Sequence, residues 1–144
     1  MEAVKYIPTK IDIEITDISL LTVEEAKQLP RSIRRYEDWW WLRSPGECQY
    51  HAAYVFRVGT LDVDGYVVSG VSVCVRPAIT VSNAIFEIGE TIIIQGKKYV
   101  AISPNRVLYN DEVVHHRFDM TTNDYDKSEI KKIVDGWLER EEEK

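Results

Sequence analysis

The residues able to do covalent or metal chemistry are few and scattered: Cys48 and Cys74, with His51, His115 and His116. A protein zinc site is usually written in sequence as cysteines and histidines at short, repeated spacings, and none occurs here. His115 and His116 are adjacent, so on a strand they would point to opposite faces. Asp62-Val63-Asp64-Gly65 opens like a calcium loop, but the position where a closing glutamate should stand is Ser72. A hairpin turn with solvent-facing aspartates is expected there instead. No glycine-rich phosphate loop and no Ser-His-Asp arrangement is present. The expectation is therefore of no catalytic residue, no metal, no cofactor, and a chain that is not an enzyme.

The bulk properties narrow the partners. The chain has 144 residues, 44% hydrophobic and 29% charged, with a formal net charge of −6. That length suits one domain over residues 1–144, large enough to bury its own core. An acidic balance argues against tracking nucleic-acid phosphates, which needs clustered Lys and Arg. Arg31, Arg34 and Arg35 come nearest, and Glu37 and Asp38 follow at once. No apolar run is long enough for a membrane helix. The opening MEAVKYIPTKIDIE lacks the apolar centre of a secretion signal, so an intracellular location, or export by a route that needs no signal of its own, is expected. Cys74, in the alternating run VSVCVRP, suits a small buried hydrophobe, and Cys48 sits in a polar loop.

The elements that must position these residues can be read along the chain. Ile11, Ile13 and Ile15 alternate with polar residues, which predicts a half-buried strand. Thr22 and Glu25 form a capping box that opens a short helix, and Pro30 stops it. Then comes WWWLRSPG, residues 39–46. On a strand, Trp39 and Trp41 share one face while Trp40 and Leu42 take the other. Both faces are then large and apolar, so Trp39, Trp40 and Trp41 are read as core, with at most one ring reachable. Arg43 ends that strand, and Arg76 at a later strand bend must find a partner for its charge if buried. Both arginines are assigned to the structural core.

Short strands are expected over AAYVFRV, TLDVDG, YVVSG and VSVCVRPAITV, then a hairpin in TIIIQGKKYVAIS turning at Gly96-Lys97. In the C-terminal helix Ile130, Ile133, Val134, Trp137 and Leu138 make one apolar stripe, which assigns Trp137 to the core as well. The acidic end EREEEK is read as a fraying helix. The layout is α+β: short antiparallel strands with two helices.

With these pieces placed, WWLRSPG at 40–46, AAYV at 52–55 and VRPAI at 75–79 resemble a bacterial and prophage domain of unknown function. That family is similar in turn to the C-type-lectin-like fold of formylglycine-generating enzymes and phage tropism determinants. Here Cys74 stands where the family usually shows a glycine. The segment SEIKKIVDGWL resembles one that the family carries upstream of its tryptophans, so the chain resembles a circularly permuted member. On that view the C-terminal stripe should pack on a sheet holding both the WWWL and VRPAI strands, with the Ile11–Ile15 strand in or beside it.

The resemblance implies a non-enzymatic binding or interaction domain of phage or prophage origin, with loops on a rigid scaffold recognising a protein or surface ligand. Glu47, Gln49, Tyr50, His51 and Tyr66 are the candidate ligand-binding residues, mixing polar and aromatic character. The alternatives are a small acidic inhibitor of a host defence nuclease and a relative of the formylglycine-generating oxidases. A protein partner is expected, without direct nucleic-acid or membrane binding, for a monomer or homodimer.

Overall fold

The computed structural model describes residues 4–7, 14–82 and 85–138. Ile11 and Ile13 of the alternating stretch, and the acidic end from 139, lie outside them. The described chain is mostly antiparallel β-sheet with a few short helices, an α+β arrangement. It forms two compact units: Met1–Ser19 with Pro77–Glu112 and Asp135–Lys144, and Leu20–Arg76 with Val113–Val134.

The first unit is built on a six-stranded sheet. Its strands are β1 (Val4–Ile7), β2 (Ile15–Ser19), β6 (Ala78–Val81), β7 (Thr91–Ile94), β8 (Lys97–Ser103) and β9 (Arg106–Tyr109), in the order β1-β7-β8-β9-β6-β2. β1 pairs parallel to β7, and the other pairings are antiparallel. The β7–β8 hairpin turns at Gln95-Gly96, one residue earlier than the sequence suggests. Both residues have positive φ, 53° and 83°, as a two-residue turn that follows the strand twist requires. Ile79, Ile92, Ile94, Tyr99, Ala101, Val107 and Tyr109 make the core. Leu138 is buried in that cluster and Trp137 packs against it. The Trp137 ring meets Tyr109 edge-on at 4.9 Å, and its indole N–H donates to the Tyr99 hydroxyl at 3.0 Å.

The second unit carries a three-stranded antiparallel sheet of β3 (Trp40–Pro45), β4 (His51–Val55) and β5 (Leu61–Val67). The helices α1 (Val23–Lys27) and α2 (Arg31–Arg34) precede it. α1 opens with the reciprocal Thr22–Glu25 capping box. Where residues 60–65 and 66–70 read as two strands, Leu61–Val67 form a single strand with a bulge. Gly65 has φ 91°, and a Cβ there would lie 2.6 Å from the Ala52 carbonyl oxygen. Asp62 Oδ1 accepts from the N–H groups of Asp64 and Gly65, so these aspartates shape the bulge and not a hairpin turn.

The tryptophans meet three different surroundings. Trp40, Trp41 and Leu42 are fully buried at consecutive positions, so β3 is covered on both faces. Trp40 donates its indole N–H to the Arg34 carbonyl at 3.0 Å, and Trp41 to the His116 carbonyl at 2.8 Å. Trp39 is half-buried among the rings of Tyr54, Phe56 and Tyr66, at 5.2, 5.4 and 5.7 Å between centroids. Arg76 is 1% exposed. Its guanidinium stands 4.8 Å from the Trp40 ring and 4.5 Å from the Tyr36 ring, and it donates to the Ile33 carbonyl at 2.9 Å. Burial pulls its pKa down to about 10, which leaves it charged at neutral pH.

The C-terminal stripe does not form one helix. A 3-10 turn over Tyr125–Lys127 leads into α3 (Glu129–Asp135), whose first turn is capped by Ser128 Oγ accepting from the Lys131 N–H. The helix ends before Gly136, a poor helix residue. Ile130 and Val134 are buried in the second unit, while Trp137 and Leu138 belong to the first. The expectation that the stripe lies on one sheet with the WWWL and VRPAI strands is therefore corrected. β3 is in the three-stranded sheet, and Ala78–Val81 is in the six-stranded one.

Truncating Trp40 to alanine should cost about 3–5 kcal/mol, a large core truncation that also strips a ring from Arg76. Urea unfolding of Trp40→Ala, Arg76→Ala and the double variant should show non-additive losses. The coupling should be about 0.5–2 kcal/mol for a desolvated cation–ring pair. Additive losses would place Arg76 outside the tryptophan's energetics.

Candidate functional site

At the end of β3, in the second unit, an open groove of about 460 Å³ is lined by Thr22, Arg43, Ser44, Pro45 and residues 123–126. Its volume falls in the range of roughly 300–1,000 Å³ found for small-ligand clefts. Arg43 is half-exposed and not part of the core. Its guanidinium lies 4.6 Å over the Tyr125 ring and 3.8 Å from Asp126 Oδ1. The ring contact fixes the cation while one side of it faces solvent. Ser44 Oγ accepts from the Val23 N–H, which anchors the groove floor to the start of α1.

The opposite wall is held by Asp119. Its Oδ2 accepts from the N–H groups of Thr121 and Thr122, and Oδ1 from the Glu129 N–H. Burial alone would raise this carboxyl pKa. The three backbone donors and the Arg117 charge outweigh that and hold it below the usual carboxylate value. Asn123 then ties the wall to the neighbouring loop, its side-chain amide donating to the carbonyls of Cys48 and His51 at 2.9 and 3.0 Å.

That loop contains four of the five residues the sequence singled out. Its backbone is pinned at every turn: Gly46 N–H to the His51 carbonyl, Glu47 N–H to Asp64, His51 N–H to Cys48. Its Gln49 and Tyr50 carbonyls accept from the N–H groups of Asn123 and Val68. The side chains of Glu47, Gln49 and Tyr50 are exposed, Tyr50 by 51%. His51 is half-buried; its Nδ1 makes no hydrogen bond and lies 3.9 Å from Glu47 Oε1. Tyr66 stands apart from this group. Its ring packs against Trp39, Trp41 and Tyr54, and a Cβ on Gly70 would come within 2.4 Å of it. Arg43 and the 123–126 segment belong to the site but were not singled out as such. Only their polar, turn-rich composition could have signalled them.

The basic cluster is partly spent on structure. Arg34 donates to the Gly59 and Leu29 carbonyls, and Arg31 to Thr60 Oγ1. Among the described residues one mixed cluster has metal-ligand chemistry: Asp38, Cys74 and His115, each offering a donor atom within 4.8 Å of the others. Cys74 is fully buried, and burial, aided by the charges of Asp38 and Glu37, pushes its thiol up to about 12. Such a thiol is protonated at neutral pH and has little nucleophilic character.

Comparison with known proteins bears on the part of the chain that holds Arg43, the 46–51 loop and Cys74. Residues 14–83 match the family model described as Domain of unknown function (DUF6273). That stretch, which contains WWLRSPG, AAYV and VRPAI, is thus similar to an unknown-function domain family. No curated protein and no solved structure matches the chain. No helix among the described residues is long and apolar enough to cross a membrane.

Ionised Asp119 stabilises the fold above the carboxylate's unfolded pKa, near 4, and that contribution fades as pH falls through its lower folded value. Asp119→Ala should cost about 1–3 kcal/mol at neutral pH, because three N–H groups lose their acceptor. Asp119→Asn should flatten the acid limb of stability against pH. Urea titrations between pH 7 and 2 measure both; an unchanged acid limb in Asp119→Asn would remove this carboxylate from the pH response.

Proposed function

We propose that the chain is a non-enzymatic binding module that engages a protein partner through the groove beside Arg43 and the adjoining 46–51 loop. The observation that carries this reading is the pairing of a backbone-pinned loop with exposed recognition side chains. A rigid loop presenting Tyr50, Gln49 and Glu47 loses little entropy on binding, and tyrosine supplies large contact area for few rotatable bonds. The surface is acidic: Asp124 and Asp126 are exposed beside Arg43 in the groove, and Glu47 is exposed on the adjoining loop. That favours a partner segment with basic and aromatic side chains.

The enclosed, protonated Cys74 supports a role without cysteine oxidation chemistry. The order WWLRSPG, AAYV, VRPAI supports, beyond this, a C-type-lectin-like scaffold of prophage origin, and the C-terminal place of SEIKKIVDGWL supports its permuted form. The net charge of −6 favours a second reading, an acidic inhibitor that occupies the basic channel of a host defence nuclease.

Selection of peptides from a random display library on the full chain tests the first reading. The enriched peptides should be basic and aromatic. They should bind the Tyr50→Ala/Asp126→Ala variant about 30-fold more weakly, the loss of a contact worth about 2 kcal/mol, while its melting temperature stays close to that of the parent. Selected peptides that bind parent and variant alike would move the interaction away from this groove.

A further inference from the structure

We propose that Asp38, Cys74 and His115 form a zinc site with sulfur, nitrogen and oxygen ligands and an open fourth position. This does not depend on the binding groove. Each ligand comes from a separate stretch of the second unit, and the backbone holds the three together. Cys74 sits between two bridges, one to Trp40 and one to His115. Its N–H donates to the Trp39 carbonyl at 2.7 Å, its own carbonyl accepts from Trp41 at 3.0 Å, and His116 N–H donates to the Val73 carbonyl at 3.0 Å. The thiol is therefore fixed at the floor. Asp38 and His115 form the mouth, each side chain 38% exposed.

The donor geometry fits a tetrahedral ion. Zinc bonds of about 2.0–2.3 Å place neighbouring donors about 3.3–3.7 Å apart. His115 Nε2 and Asp38 Oδ2 are already 3.0 Å apart. The whole set lies within 4.8 Å, so a contraction of about 1 Å by the two half-exposed side chains closes the site. Asp38 is oriented for this: Oδ1 accepts from the Trp39 N–H at 2.9 Å, which leaves Oδ2 directed at the histidine. An aspartate is ionised at neutral pH, so this carboxylate is available as an anionic ligand. On binding, zinc displaces the thiol proton to solvent and takes the place of the proton between His115 Nε2 and Asp38 Oδ2; the neutral imidazole then carries its one proton on Nδ1, away from the metal. A thiolate and a carboxylate then neutralise the ion, which is the charge balance a partly buried zinc site needs.

The test uses the full chain carrying Cys48→Ser, which removes the exposed thiol. Zinc should bind one to one and raise the melting temperature. Cobalt should give the intense near-ultraviolet band of a thiolate ligand together with tetrahedral visible bands. His115→Gln and Asp38→Asn, both at half-exposed positions, should each weaken zinc on the order of 100-fold, a lost ligand outweighing the 10–100-fold effects of outer-shell partners. Cys74→Ser should abolish the thiolate band. The proposal is overturned if the Cys48→Ser chain shows no saturable zinc binding, if cobalt binds without a thiolate band, or if His115→Gln binds zinc as tightly as its parent.

Discussion

A buried guanidinium organises the second unit. Removing a charge from water costs several kcal/mol unless its surroundings replace what hydration supplied. At Arg76 the replacement comes from the Trp40 ring, the Tyr36 ring and the Ile33 carbonyl. Those groups belong to α2, to the segment after it and to β3, so satisfying one cation fixes the mutual placement of three stretches of chain. Arginine suits this because its flat, weakly hydrated head can face aromatic rings while its N–H groups donate in plane. The next residue, Pro77, has no N–H to offer a ladder, and β6 starts only at Ala78.

The tryptophan run follows from the same requirement. Trp40 covers Arg76 and caps the Arg34 carbonyl, Trp41 fills the far face and reaches His116, and Trp39 closes the aromatic layer on Tyr54, Phe56 and Tyr66. Three adjacent rings serve three surroundings because successive strand residues alternate faces and the first lies just before β3. Their shared role is architectural. The groove begins two residues after Trp41, where Arg43 of the same strand lines it.

What could be read from the sequence was what is local. The Thr22–Glu25 capping box, the β7–β8 hairpin and the burial of Trp40 and Trp41 each depend on residues a few positions apart. Contacts set by distant pairing were not readable. Asp62 to Gly65 resembles a turn in isolation and becomes a bulge only because Ala52 lies across the ladder. The apolar period of Ile130 to Leu138 continues through Gly136, so periodicity alone carried the helix past its end. VSVCVRPAITV alternates like one strand, yet residues 73–79 are buried throughout and only a bridge at Cys74 precedes β6. Of the site, the 47–51 side chains could be found from composition. Arg43 with residues 123–126, and Asp38 with Cys74 and His115, come together only in three dimensions.

The loop after β3 separates frame from face. Its frame is inflexible: a Cβ on Gly46 would fall 2.3 Å from the Asp64 carbonyl oxygen and 2.8 Å from the His51 Cβ, so that position admits glycine alone without rearrangement. Its face is nearly free, because the bonds that hold positions 47, 49 and 50 are made by main-chain atoms common to almost every residue type. Sequence drift at those three positions therefore leaves the shape of the loop unchanged while altering what it presents. A lineage carrying this domain can vary the surface of this loop by point substitution, without passing through an unfolded or misfolded intermediate sequence.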